Sequence, residues 1–330
     1  MQEMSVEIKG GSLFYLENRN RVTVLRFEGN TSRIEVPEKI GEKPVTEIYK
    51  KAFFNCRHLR FLTLPDTVEE IGSWAFAWCR QLEQVVLPQR SMTLGRDLFI
   101  GSDRLKEIRL RIPGGKLPPL RGEQGPGKSG CAYAQTGSPE GCTSCRGMQI
   151  AELLAVAATK MEDHHLFSIE EAGTPDWLKK WDARMLVILR EDDSEGFAKQ
   201  VPTGVEDFGN TDLDLFTNSK RKAKIRLVMI RLLHPCGLPE QIRMELEDYL
   251  RAHTKGGVTE ETWQVMLEEF GDEKPYYELF TRLGCVTEEN FDGILRDMKD
   301  EHTEMKAWLM KYKEENLGYT DFFDSLSLDF

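Results

Sequence analysis

Ile48-Tyr49-Lys50-Lys51-Ala52-Phe53-Phe54-Asn55-Cys56-Arg57-His58-Leu59-Arg60-Phe61-Leu62-Thr63-Leu64-Pro65 is answered 23 residues on by Ile71-Gly72-Ser73-Trp74-Ala75-Phe76-Ala77-Trp78-Cys79-Arg80-Gln81-Leu82-Glu83-Gln84-Val85-Val86-Leu87-Pro88. The same step joins Phe53, Phe76 and Phe99, then Leu59, Leu82 and Leu105, then Leu64, Leu87 and Leu110. A unit this short cannot bury its apolar face alone and must stack on its neighbours, so a fixed period of this size predicts a solenoid. In Leu62-Thr63-Leu64 and Val85-Val86-Leu87 the apolar anchors lie two apart, which is the period of a strand. The proline that follows donates no amide hydrogen and ends the strand. Ala52-Phe53 and Ala75-Phe76 fall on the return segment, where the small residue leaves room for the phenylalanine between coils.

The third unit is degenerate, with Leu98 in the alanine position, Ser102 in the cysteine position and Arg111 where the proline should stand. Upstream, Ile34-Glu35-Val36-Pro37 carries a strand followed by a longer connection through Gly41 and Pro44. Decay at both ends is what terminal units show. This pattern, with Ile48, Ala52-Phe53, Cys56, Leu59, Leu62 and Leu64-Pro65 in register, resembles the BspA-like class of bacterial leucine-rich repeats. The resemblance implies a leucine-rich repeat fold and leaves the function open, because one scaffold serves many partners. Ahead of the repeats, Leu13–Leu16 and Val22–Phe27 are β-rich runs that predict a hairpin closing the open end of the solenoid.

The chain of 330 residues has room for two domains, and 40% hydrophobic with 30% charged residues is an ordinary globular composition. The expected architecture is α+β and multidomain: residues 1–112 as hairpin cap and repeats, 113–147 as a Gly/Pro-rich linker, and 148–330 as an α-helical repeat domain. Pro113-Gly114-Gly115, Pro118-Pro119 and Gly125-Pro126-Gly127 mark the linker. Beyond it, Ile150, Leu153, Leu154, Ala157 and Met161 keep helical spacing. Thr174-Pro175 opens a helix reaching about Arg190, and Ile225, Val228, Met229 and Leu232 mark the core face of another. Val258-Thr259-Glu260-Glu261 recurs 28 residues on as Val286-Thr287-Glu288-Glu289, each opening a capped helix and then a second helix. Such pairs, and the segment Glu301–Leu309, resemble helical repeats of the ankyrin or armadillo kind, which implies an α-solenoid.

The net charge of −11 is unevenly placed. Residues 1–112 carry 18 Lys+Arg against 15 Asp+Glu, and residues from 148 onward carry 22 against 38. An acidic half of this kind argues against nucleic-acid binding, which needs net positive surface, and favours basic partners on that side. No window approaches the roughly 18 apolar residues of a membrane span. Met1–Glu7 shows no basic-then-apolar leader, so the expected location is cytoplasmic with no membrane association. Cys56 and Cys79 occupy buried repeat positions and are expected to be reduced core residues.

No nucleophile elbow, HExxH, P-loop or dinucleotide fingerprint occurs, and no cofactor or enzyme activity is expected. His234 and Cys236 lie two apart in a helix–helix turn, where structure accounts for them better than catalysis. Glu191-Asp192-Asp193 lacks the alternating spacing of a calcium loop. Cys131, Cys142 and Cys145, with His164 or His165 as a fourth ligand, are the nearest approach to a zinc site, but only one clean Cys pair is present. The better geometry is for binding. Phe61 and Thr63, Gln84 and Val86, and Glu107 and Arg109 alternate with the inward leucines, so stacked strands should present them as one outward surface. Trp74 and Trp78 on the return segment add aromatic candidates of the kind interfaces use. The expected function is therefore a non-catalytic protein–protein interaction scaffold or adaptor. A metal-dependent or enzymatic helical domain and a surface adhesin are the alternatives.

Overall fold

A computed structural model of the chain describes residues 2–111, 143–161, 165–191, 193, 213–257 and 259–317. The chain forms two compact units, Met1–Leu186 and Val187–Phe330. The expected linker and the Asp/Phe-rich C-terminal tail lie outside the described residues, apart from the start of the first helix.

The first unit opens with β1 (Met4–Ile8), β2 (Gly11–Asn18) and β3 (Arg21–Gly29), an antiparallel meander rather than a single hairpin. The coils then contribute β4 (Arg33–Glu35), β5 (Lys39–Ile40), β6 (Lys43–Ile48), β7 (Phe61–Thr63), β8 (Glu70–Ile71), β9 (Gln84–Pro88), β10 (Thr93–Leu94) and β11 (Glu107–Arg111). One sheet runs β1-β2-β3-β6-β8-β10, with β5 paired to β6, and the other runs β4-β7-β9-β11. Strand β3 joins β6 in parallel, so the meander closes that edge of the first coil, while β4 ends the other sheet. Phe61, Gln84 and Glu107 are strand partners, which is the 23-residue step made physical. The step from Arg33 to Phe61 is 28 residues, the extra length being the connection through Gly41 and Pro44. About four turns of β-solenoid result.

Stacked side chains hold the coils together. Phe27, Phe53, Phe76 and Phe99 form a ladder with ring centroids 6.2, 5.9 and 5.3 Å apart. Phe53, Phe76 and Phe99 are buried, and each such ring contributes about 1.5–3 kcal/mol. At Gly95, where consecutive coils touch backbone to backbone, a Cβ would lie 2.2 Å from the Ser73 amide nitrogen. Ser102, the substitute for the repeat cysteine, keeps its place by chemistry. Its hydroxyl donates to Phe76 O at 2.9 Å and accepts from the Cys79 amide at 3.0 Å.

The ladder ends on helical structure. Phe167 meets Phe99 edge-on at 5.8 Å. Helix α1 (Thr143–Thr159) packs on β11. Helix α2 (Pro175–Arg190) starts at the expected proline, with the Thr174 hydroxyl accepting from the Trp177 amide at 3.2 Å. Trp177 and Trp181 are fully buried and their indoles donate to Leu166 O and Leu153 O. The two compact units divide at Leu186 rather than at 148, because α1 packs on β11 and α2 is tied to α1 through the Trp181 indole.

The second unit holds α3 (Leu213–Leu233), α4 (Glu240–Ala252), α5 (Glu261–Phe270), α6 (Lys274–Arg282), α7 (Glu288–Asp297) and α8 (Thr303–Asn316). Ile225, Val228, Met229 and Leu232 are buried on α3, as their spacing predicts. The 28-residue recurrence places Trp263 and Phe291 as equivalent buried anchors of α5 and α7. The caps differ. Thr287 and Asn290 form a reciprocal capping box on α7, whereas Thr259 has a buried hydroxyl with no partner and α5 has no side-chain cap. Thr262 stands at the repeat position of Asn290 but donates to Leu250 O, and α5 starts one residue later in the repeat, with Glu260 rather than Thr259 preceding its first turn.

Candidate functional site: an aromatic and basic face

The strand surface expected to face outward does not do so along its length. Gln84, Val86, Glu107 and Arg109 are all buried. Phe61 and Thr63 are half-buried, with the Arg33 and Arg60 guanidiniums 5.1 and 5.3 Å from the Phe61 ring centroid. At the β11 end the cause is α1, which covers the strand, and Glu107 and Arg109 pair with one another at 2.6 Å beneath the surface. Alternation along a strand establishes which side chains share a face. It does not say whether another element will lie on that face.

The return segments are different. In the solenoid the exposed large apolar side chains are Tyr49, Phe54, Trp74, Trp78 and Ile100, between 41% and 52% exposed. Every one lies on a return segment. Trp74 and Trp78 were legible from the sequence as candidates, whereas Tyr49, Phe54 and Ile100 were not. The signal for two of them sits in the column Phe54, Ala77, Ile100, where the buried Ala77 is flanked one coil either way by a large exposed residue.

The tryptophans share their backbone conformation with their repeat equivalents and differ from them in side chain. Each return segment has two left-handed residues, at Lys51, Trp74 and Asp97 and again at Asn55, Trp78 and Gly101. The turn is kept because the amides it aims at the next coil are satisfied there. Asn55, Trp74 and Trp78 donate to Ala77 O, Arg96 O and Ile100 O at 2.9, 3.0 and 2.7 Å. A left-handed backbone costs a residue with a Cβ about 1–2 kcal/mol, and asparagine and glycine tolerate it best. Asn55 and Gly101 fit that rule. A half-exposed Trp78 between them does not, and stability gives no reason for it.

Cations surround the rings. Lys51 Nζ lies 4.9 Å from the Trp74 ring centroid and 5.5 Å from that of Phe54, bridging two coils. The Arg80 guanidinium lies 5.6 Å from Trp78 and the Lys50 ammonium 5.7 Å from Tyr49. The Trp74 indole donates to Asp97 at 3.3 Å. Trp78 rests on the backbone of the next coil, for a Cβ at Gly101 would come within 2.8 Å of its ring. Between Phe54 and Trp78 runs a groove of about 510 Å³, walled also by Asn55, Arg57, Arg80 and Gln81. Stacking and charge can act there together; nothing in the wall is a paired nucleophile and base.

The remaining candidates resolve into structure. His234 O and Cys236 O both accept from the fully buried Arg231 guanidinium, at 2.6 and 3.2 Å, so the turn after α3 is capped from within. Glu191 and Asp193 pair with Lys220 and Lys224 at 3.3 and 2.7 Å, while Asp192 lies outside the described residues. Cys131, Cys142 and His164 also lie outside them, as does the side chain of Cys145. Among the described residues there is no cluster of three or more metal-ligating side chains. Cys56 and Cys79 are free thiols. The hydrogen bond with Cys56, together with burial, pushes the Cys79 thiol far up, so it stays protonated. No helix among the described residues is long and apolar enough to cross a membrane.

Residues 28–113 match the family model described as the BspA type leucine rich repeat region, in six copies. No curated protein matches the chain. A leucine-rich repeat protein of T. pallidum is 26% identical with a TM-score of 0.30, over 33% of this chain and 50% of that one. A leucine rich cell surface protein of Faecalibacterium prausnitzii is 27% identical with a TM-score of 0.28, over 34% and 31%. A leucine-rich repeat protein of Bacteroides ovatus is 27% identical with a TM-score of 0.29, over 33% and 29%. This chain spans half or less of the length of each of these three.

Proposed function

We propose that this chain, whose residues 28–113 are BspA-type leucine-rich repeats, is a non-catalytic protein–protein interaction scaffold that binds through its return-segment face. Leucine-rich repeat regions generally mediate protein–protein interaction or adhesion, and the remaining question is which surface serves. One observation carries the answer. Two tryptophans stand half-exposed in left-handed conformations, and one of them, Trp78, lines a groove with Phe54. Large rigid aromatics around a concavity are the usual anchors of a protein interface. The strand face is the weaker candidate, because burial leaves it only Phe61 and Thr63 as partly accessible positions. The helical unit would hold a second partner in an adaptor of this design.

The test uses the full chain with paired substitutions and quantifies one named partner by mass spectrometry after co-precipitation. Phe54→Ser with Trp78→Asn is expected to reduce recovery about tenfold, and Thr63→Glu to leave it within about twofold. Recovery unchanged by the first and lost in the second would return the site to the strand face.

A further inference from the structure

The first two coils of the return face are as unusual in charge as in apolarity, whereas the third, residues 95–104, balances Arg96 and Arg104 with Asp97 and Asp103. Residues 49–58 hold Lys50, Lys51 and Arg57, residues 72–81 hold Arg80, and neither stretch contains a carboxylate, in a chain whose net charge is −11. Elsewhere on the solenoid several arginines pair with acids, among them Arg60 with Glu83, Arg26 with Glu3 and Arg90 with Glu69. Lys50, Lys51, Arg57 and Arg80 have no carboxylate partner among the described residues, and Lys50, Lys51 and Arg80 lie over aromatic rings instead. Two unmatched guanidiniums, Arg57 and Arg80, stand in the wall of the groove that Phe54 and Trp78 also line.

Building on the scaffold reading above, we propose that this groove takes an acidic peptide segment of a partner protein. Its carboxylates pair with Arg57 and Arg80, and one aromatic or aliphatic side chain lies between Phe54 and Trp78. Charge complementarity selects the partner, since guanidinium meets carboxylate in a two-bond planar fork. The Asn55 side chain adds an amide able to meet a peptide backbone, while the Gln81 amide oxygen accepts from Arg104 at 2.6 Å and leaves its NH2 group to donate. Trp78 both stacks on the ligand and, through Arg80, fixes one of the two cations. Lys50 and Lys51 widen the positive field and make association faster at low salt.

The experiment measures fluorescence anisotropy of labelled twelve-residue peptides with the full chain. One alternates Asp with Phe, a second replaces each Asp by Asn, and a third replaces each Phe by Ala; polygalacturonate serves as an anionic polysaccharide competitor. The acidic aromatic peptide is expected to bind and to weaken about tenfold in each of four cases. These are its Asn version, its Ala version, the Arg57→Glu/Arg80→Glu variant and the Trp78→Asn variant. Arg19→Glu/Arg21→Glu, equal in charge change and placed in the meander, should alter affinity less than about twofold. Equal binding of the Asn peptide overturns the acidic-partner proposal, and the scaffold reading survives if Trp78→Asn still weakens it. No effect of Trp78→Asn overturns both. Absence of any peptide binding, or displacement by polygalacturonate with no peptide preference, also overturns the proposal.

Discussion

Trp78 is where local cost and chemical use can be weighed against each other. Its left-handed backbone costs about 1–2 kcal/mol, and its ring recovers part of that by resting on Gly101 while staying 43% exposed. Asn55 shows which residue the same turn accepts one coil earlier. Trp78→Asn is therefore expected to change unfolding free energy by less than about 1 kcal/mol in either direction, read by chemical denaturation. A loss above about 3 kcal/mol would mean that the tryptophan is there for packing. Residues of the repeat core were legible because a period of 23 names each column, and Phe53, Phe76 and Phe99 are buried where that column puts them. Val86 was misplaced for a physical reason. A period of two aims it away from the leucines, yet it is fully buried, so a charge introduced there would disrupt the fold rather than probe a surface.

At the scale of elements, recurrence in sequence is not recurrence in capping. Thr287→Ala removes a formed capping box and should cost about 1 kcal/mol by denaturant unfolding. Thr259→Ala removes a hydroxyl that has no partner and should be neutral or slightly stabilising. Equal costs would contradict this account of the two caps. A second contrast concerns Asp297 on α7. Burial works against its ionised form, but hydrogen bonds from Lys255 at 2.5 Å and the Trp263 indole at 2.9 Å prevail and hold the carboxyl below its usual range. A carboxyl depressed in the folded state adds stability above its unfolded value of about 3.9 and loses it as pH falls through the lower folded value. Asp297→Asn should therefore flatten the fall in stability below about pH 4. Its unfolding profile against pH, compared with that of the unaltered chain, checks the sign. A variant that keeps the full acid-side slope would rule the pair out as its source. No sequence pattern announced this pair, since Lys255 and Asp297 lie 42 positions apart in different elements.

At the scale of the molecule, the solenoid is closed at both ends by structure that is not a repeat. The meander β1–β3 covers one end, and α1 and Phe167 cover the other. The first closure was legible as β-rich runs before the repeats. The second was not, because helical periodicity says that a helix has an apolar face but not which unit will receive it. That same placement buries the end of the strand surface and leaves the return segments as the accessible side. The most direct measurement is site-specific photocrosslinking of the full chain in native lysate, with a benzophenone amino acid at Gln81 in one form and at Thr63 in the other. An adduct to one partner from position 81, lost when Trp78→Asn is added, is the predicted result. An adduct from position 63 with none from 81, or one from 81 indifferent to Trp78→Asn, would contradict the return face as the binding surface.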